Sequence, residues 1–291
     1  MPTNADFNKI SITAKLTAYM RQFSDIPFAS EIAEAINAHA AFIEILDNYN
    51  LTTADFNWYA LLFEARYKSI ANQIKELKSQ QVLELASGFS LRGLAMSINS
   101  PLVYIESDLG DLENEKQAIL TNICKRCQLS MPVNFGLANI NALDYVQIQT
   151  GISKLDKNSE LTIVSEGLLQ YLSAKELAQV VQNIALVLRQ FGGQWITPDF
   201  TIQSSVTSAT PQQQHFRKII SSLTQRQMYN NSFANQAQLE KFLADYGLKV
   251  ERLDQLDLVA ELTSLHKLQL IEAELDKLRP QMVLWQVSLM G

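Results

Sequence analysis

The chain has 291 residues, enough for one large α/β domain or two small ones with a buried core. Hydrophobic residues make up 47% and charged residues 19%, which excludes a disordered chain, and the longest apolar runs, such as Leu161 to Leu172, are too short for a bilayer. The net charge of −6 argues against a nucleic-acid partner, and the start MPTNADFNKI lacks the pattern of a secretory leader, so the chain reads as a soluble, cytoplasmic protein acting on a small molecule without a membrane.

From Ile10 to about Leu77 the periodicity is helical. It predicts a helix through Met20 capped by Ser11 or Thr13, a second over Phe28 to Leu46 after the break at Pro27, and a third from an N-cap at Thr53 to Leu77. Residues 1–78 thus read as a helical cover or lid over a core of residues 79–291, with Lys15 to Phe28 lying above its pocket.

After Lys78 strands alternate with helices. Strands are expected at Val82–Ala86, Leu102–Glu106, Val133–Leu137, Leu161–Ser165, Gly193–Pro198, Lys249–Leu253 and Gln281–Leu289. Helices fit at Arg92–Ser97, Glu113–Gln128, Ala174–Gln190 and Gln236–Tyr246. The alternation predicts an α/β fold, a doubly wound, mostly parallel seven-stranded sheet with helices on both faces. The last strand follows a charged helix (Ala260 to Leu278) and Pro280, and is expected to run antiparallel beside the sixth. The Ser/Thr/Gln-rich stretch Thr201 to Gln214 reads as a flexible loop in a cap insertion around 200–245. Cys124 and Cys127 share one helix face, and His39, His215 and His266 are scattered, so no metal set is expected.

The informative segment is VLELASGFSLRGL, Val82 to Leu94. A strand ends in Ala86-Ser87-Gly88, small residues that let a ligand approach the backbone. Only Gly88 and Gly93 are glycine, short of the three that a pyrophosphate cofactor needs. S-adenosylmethionine carries no phosphate, and a looser turn suffices for it. YIESDL then places Glu106 and Asp108 at the end of the second strand, Asp108 about 20 residues after the turn, where an acid takes a ribose diol. In SEGLLQYL, Glu166 stands where the fourth strand opens into a loop, and needs a partner: a donor's ammonium or Arg66.

These segments, with TAKLTAYMRQFSDIPFA, FEARYKSI, Lys116 and GGQWITPDF, resemble the leucine carboxyl methyltransferase and polyketide O-methyltransferase superfamily of class I S-adenosylmethionine-dependent methyltransferases, over nearly the whole chain. The resemblance implies an enzyme of that fold and assigns donor contacts. Arg66 would hold the donor's carboxylate and Lys15 would approach the donor from the first helix. Ala86 and Gly88 would form the turn, Asp108 would take the ribose, Asn139 and Ile140 would flank adenine, and Glu166 would be the acid after the fourth strand. Two positions depart from the family pattern. Asn139 stands where an aspartate is frequent, and Ala86 replaces the first glycine, which requires that its φ stay below zero.

Methyl transfer is an in-line displacement governed by positioning. A carboxylate acceptor needs no base and a hydroxyl does. No His–carboxylate pair is visible, and His215 reads as a surface residue. Arg21 and Tyr171 are the candidate substrate-facing groups. The expected reaction is O-methylation of a carboxylate or hydroxyl on a small-molecule or polyketide-like acceptor. The alternatives are a donor-binding protein without catalysis and an NAD-dependent oxidoreductase, which the missing glycine disfavours. Neither the acceptor nor the oligomeric state is legible in the chain.

Overall fold

The computed structural model describes residues 4–207, 209–228, 230–270, 275, 276 and 279–291. The N-terminal periodicity resolves into four helices: α1 (Asn4–Arg21), α2 (Ala29–Ala35), α3 (Ala38–Tyr49) and α4 (Asn57–Glu76). The single helix expected over Phe28 to Leu46 is broken at Asn37, whose φ of 48° lies in the left-handed region that Asn tolerates better than most residues. The third helix is preceded by a short 3-10 turn (Thr53–Asp55), and Thr52, not Thr53, is its cap, in a reciprocal capping box with Asp55. Leu16, Tyr19 and Met20 of α1 join Phe42 and the α4 residues Trp58, Tyr59 and Leu61 in one apolar cluster. Tyr19 stacks on Phe42 at 4.2 Å.

The remaining elements alternate: β1 (Gln81–Leu85), α5 (Arg92–Ser97), β2 (Val103–Asp108), α6 (Gly110–Arg126), β3 (Phe135–Asn139), α7 (Tyr145–Gly151), β4 (Leu161–Ser165), α8 (Ala174–Phe191), β5 (Gly193–Thr197), α9 (Gln203–Thr207), α10 (Pro211–Thr224), α11 (Gln236–Ala244), β6 (Leu248–Asp254), α12 (Thr263–Lys267) and β7 (Val283–Leu289). Among the described residues the strands form one sheet in the order β3-β2-β1-β4-β5-β7-β6. The first five run parallel, and β7 is antiparallel to both β5 and β6, beside the sixth strand as expected but inserted between it and the fifth.

Alternation along the strands feeds two cores. Leu83, Ile163 and Trp195 face the apolar stripe of α8, built from Val180, Val181, Ile184 and Leu188. Val82, Tyr104, Val164 and Ile196 face Ile70 and Ile74 of α4. Both faces of β1 and β4 are therefore covered, which is why these strands read as nearly continuous apolar runs.

The Thr201 to Gln214 stretch is not a simple loop. Thr210 caps α10 with Pro211 at its first position, and Thr210 and Gln213 make a reciprocal capping box. Thr-Pro-x-Gln is a helix-start signature that the polar composition obscured. The charged helix expected from Ala260 is observed as a 3-10 turn (Leu256–Glu261) and the short α12; residues 271–274, 277 and 278 of that stretch lie outside the described residues. Among the described residues no helix is long and apolar enough to cross a membrane.

A buried ion pair joins β2 to α6. Lys116 Nζ lies 2.6 Å from Glu106, both side chains are fully buried, and Lys116 also donates to Ser87 Oγ at 2.9 Å. Removing one partner of such a pair strands the other charge. Lys116→Met is therefore expected to cost about 3–5 kcal/mol in urea unfolding, and adding Glu106→Gln should recover a large part of it. Equal unfolding midpoints for the native chain and the single variant would disprove this role.

Candidate functional site

Strand order reverses between β1 and β4, and in such sheets the crevice beyond the carboxyl ends of the strands at that point takes ligands. A cavity of about 220 Å³ opens there. It is lined by Ala86 to Leu91 after β1, Asp108 and Leu109 at the end of β2, Ile140 to Leu143 after β3 and Glu166 to Leu168 after β4. α1, α4 and α10 complete its walls.

The turn after β1 carries two residues with positive φ, Gly88 at 53° and Ala86 also at 53°. The condition that Ala86 keep φ below zero is thus overturned. The Cβ of Ala86 is held against the following carbonyl, at a cost of about 1–2 kcal/mol. The turn is held by Asp108, whose Oδ2 accepts from the Gly88 amide at 2.7 Å and whose Oδ1 accepts from the Leu109 amide at 2.8 Å. Burial pushes the Asp108 carboxyl above its usual range against these two amides. Each oxygen keeps a second lone pair for a ligand.

Beneath the turn lies a fully buried guanidinium. Arg92, at the start of α5, pairs with Glu84 of β1 and, at 2.6 Å, with Glu166 Oε2 after β4. Glu166 Oε1 takes Arg21 of α1 at 2.7 Å. Tyr104 donates to the other oxygen of Glu84 at 2.6 Å, and the Tyr67 ring lies 4.6 Å from the Arg92 guanidinium and 5.6 Å from that of Arg21. Burial alone would raise Glu166, but Arg21 and Arg92 overcome it and hold the carboxyl below its usual range. Of the two partners considered for Glu166, Arg66 acts on it only at a distance, adding to the lowering by Arg21 and Arg92. Two arginines occupy it, and an ammonium there would face two like charges.

Other expected contacts also shift. Glu106 lies inside β2 and is absent from the cleft wall. It pairs with Lys116 and accepts the Gly93 amide at 2.5 Å, where a Cβ on Gly93 would run into Tyr104 and Glu106 itself. Asn139 is exposed and sits against Gly110, outside the cleft lining, because its position beside Asp108 in the β2–β3 register turns it toward the start of α6. Ile140 does line the cleft, followed by Asn141. On α1 the cleft face is formed by Thr13, Ala14, Thr17, Ala18 and Arg21, spaced by about one helical turn, and Lys15 falls off it. Arg66 and Tyr171 line the cleft, as do Gly88 and Ala86.

Several residues escaped sequence reasoning. Glu84 and Arg92 carried a signal, a charge inside an apolar strand and a basic residue just after it. Asp199, beyond β5, is buried and accepts from the amides of Gly167, Leu168 and Leu169 at 2.9, 2.8 and 3.1 Å, fixing the loop after β4. Burial pushes its carboxyl up.

Arg66 differs from these paired arginines. It lines the cleft, its Nε is buried with no hydrogen-bond partner, and no ion pair engages it among the described residues. His39, His215 and His266 are exposed, and among the described residues no histidine lines the cleft. Burial raises the phenol of cleft-lining Tyr67 far above neutrality, so it is no base either. Among the described residues no three His, Cys, Asp or Glu side chains are grouped to hold a metal ion.

No protein-family model matches this sequence, and no curated protein matches it. Solved structures do. The chain is similar to a DUF574 family protein of Streptomyces avermitilis at 14% identity and a TM-score of 0.56, over 96% of this chain and 97% of that one. It is similar to a candidate methyltransferase of Thermobifida fusca at 15% identity and a TM-score of 0.51, over 86% and 88% of the two chains. At these identities the likeness shows the fold alone, an α/β sheet, mostly parallel with one antiparallel strand inserted near its edge.

Structural and unpaired arginines should separate in the unliganded protein. Arg92→Met leaves buried Glu84 without a cation and Glu166 with only one, and should cost about 3–5 kcal/mol. Arg66→Met breaks no direct pair and removes only the distant attraction to Asp199 and Glu166, so it should move the urea midpoint much less than Arg92→Met. Glu166 titrates below its ordinary 4.5, so its stabilisation is complete above that pH and fades as pH falls through the lowered value. Glu166→Gln should flatten the acid limb of the stability–pH curve. An unchanged acid limb, or equal losses for Arg66 and Arg92 variants, would contradict the assigned pairing.

Proposed function

We propose that this chain is an S-adenosylmethionine-dependent methyltransferase that methylates an oxygen, carboxylate or hydroxyl, of a small-molecule acceptor. The observation that carries the reading is Arg66, a guanidinium on the wall of the same cleft as the Ala86–Gly88 turn and Asp108. It is in no ion pair among the described residues, its Nε is unbonded, and its charge reaches Asp199 and Glu166 only at a distance. An α-carboxylate satisfies a guanidinium by a bidentate contact. The free lone pairs of Asp108 suit a ribose diol, and Ile140 supplies an apolar surface for a purine.

The start of α5 argues against a dinucleotide. Pyrophosphate sites use free amides at a helix N-terminus. Here the Arg92 amide donates to Ser90 Oγ and the Gly93 amide to buried Glu106, so the first turn is already neutralised.

Bound in this cleft, S-adenosylmethionine would supply a sulfonium methyl whose C–S bonding pair returns to sulfur as an acceptor oxygen forms the new C–O bond. The chain's own part is to hold donor and acceptor in line and to exclude water. α1, α4 and α10 give that cover, and Arg21 ties α1 to the sheet edge through Glu166. A carboxylate acceptor needs no base, and a hydroxyl acceptor would give its proton to water or to a carboxylate of the cleft wall.

Calorimetry should show S-adenosylmethionine and S-adenosylhomocysteine binding and no response to NAD. Arg66→Met and Asp108→Asn should each weaken S-adenosylhomocysteine by at least about tenfold, since a hydrogen bond to a charged group is worth about 1.5–3 kcal/mol. The asparagine keeps an acceptor for the Gly88 amide and loses the one for the Leu109 amide, so the unliganded melting temperature is read beside the affinity. Binding of NAD with silence toward both adenosyl ligands would sink the proposal.

A further inference from the structure

Four cleft-lining side chains carry a buried polar atom with no hydrogen-bond partner, and all four atoms are N–H donors: Arg21 Nε, Trp58 Nε1, Arg66 Nε and Gln213 Nε2. Buried donors left unmatched are costly, and a set of one kind marks a site completed by acceptors from outside. The donor assignment uses Arg66, and Arg21 is held by Glu166. Trp58 and Gln213 remain, each only 4% exposed.

These two belong to one place. Trp58 lies against Tyr59 with ring centroids 3.9 Å apart, and Tyr59 meets Phe216 at 3.8 Å. Phe216 follows Gln213 by one turn of α10, whose cleft-facing positions are Gln213, Phe216, Arg217 and Ile220 at helical spacing. Arg66 is eight residues further along α4, about 12 Å at 1.5 Å per residue. The site around Trp58 is therefore separate from the one assigned to the donor's carboxylate. The orientation of the Gln213 amide is fixed, because its Oε1 accepts the Thr210 backbone N–H at 2.9 Å in the capping box, leaving the NH2 unmet.

Both donors are neutral. Nearby charges are engaged: Arg226 pairs with Glu176 at 3.0 Å, and Arg217 donates to the Val206 carbonyl at 3.1 Å. A neutral oxygen can accept from an indole and a carboxamide without carrying a charge out of water. The half-buried rings of Phe63 and Phe216 on the cleft wall suit a flat partner.

We propose that Trp58 and Gln213 form the methyl-acceptor subsite, donating to a carbonyl oxygen of a planar, uncharged ring compound laid beside Phe63 and Phe216. This rests on the methyl-donor reading of the cleft, because it seats the acceptor beyond Arg66. It names residues that set acceptor choice without touching the donor.

The test is calorimetric, on the full chain, with and without saturating S-adenosylhomocysteine. The probes are 2-acetyl-1-naphthol, its carbonyl-free analogue 2-ethyl-1-naphthol, and 1-hydroxy-2-naphthoate. The acetyl compound should bind about tenfold more tightly than the ethyl one. Trp58→Phe keeps the ring and deletes the N–H. Gln213→Glu keeps the acceptor of the capping box and replaces the donor. Each should abolish the acetyl preference while leaving the affinities for 2-ethyl-1-naphthol and S-adenosylhomocysteine unchanged. A preference that survives both substitutions, tighter binding of the naphthoate, or no binding by any probe would overturn the subsite. Failure of S-adenosylhomocysteine to bind would instead overturn the donor reading, and the titrations without it still decide the role of Trp58 and Gln213.

Discussion

A guanidinium stays charged even when buried, so one at the carboxyl edge of a parallel sheet is costly unless carboxylates meet it, and Arg92 is met by two. One comes from inside β1 and the other from the loop after β4, so the pairing sets the two strand ends that flank the reversal of strand order. Glu166 then uses its other oxygen on Arg21, which binds the first helix of the chain to the same point. Tyr67 of α4 lies against both guanidinium groups. Three layers of the molecule thus meet on one charge cluster, and the cleft lies above it. Such a cluster adds little net stability over an apolar equivalent, but it does not tolerate the loss of a member.

The two acids of β2 divide two tasks that look alike in sequence. Glu106 and Asp108 are two residues apart and lie on the same side of the strand, yet only the second reaches the cleft. Glu106 closes the Gly93 amide at the start of α5 and balances Lys116. Asp108 holds the turn that carries a strained Ala86 and a left-handed Gly88. Strained backbone kept in place by surrounding bonds is common where a ligand must approach the main chain. Ion pairing, not the count of unmet N–H groups, divides scaffold from site. Arginines 21 and 92 serve the scaffold, and Arg66 faces the space.

Local physics made much of this fold legible in the sequence. Strands buried on both faces are short apolar runs, and Leu161–Ser165 lies where its apolar run predicts. The amphipathic period of α8 and its Ser173–Glu176 capping box mark that helix at its first residue. The acid after the second strand, the small-residue turn and the alternation of strands with helices depend on neighbours in sequence, and they locate the cleft. The helix begun by Thr210 and Pro211 was equally local, and composition misled where spacing would have served.

The partners of the charges were decided by the tertiary structure alone. Arg21 and Glu166 are 145 residues apart and Arg92 and Glu166 are 74 apart, so no local pattern assigns them. The same holds for Lys15 turning off the cleft face and for Asn139 turning toward α6, since a single helical step or strand register redirects a side chain. The positive φ of Ala86 is likewise imposed by the bond from Asp108 to the Gly88 amide, not by any preference of alanine. Sequence determined the sheet, the turn and the acid beside it because hydrophobic period and small-residue chemistry act over a few residues. Only the folded chain decided which charges are spent on one another and which donors stay open, because that depends on distances set by every packed layer at once.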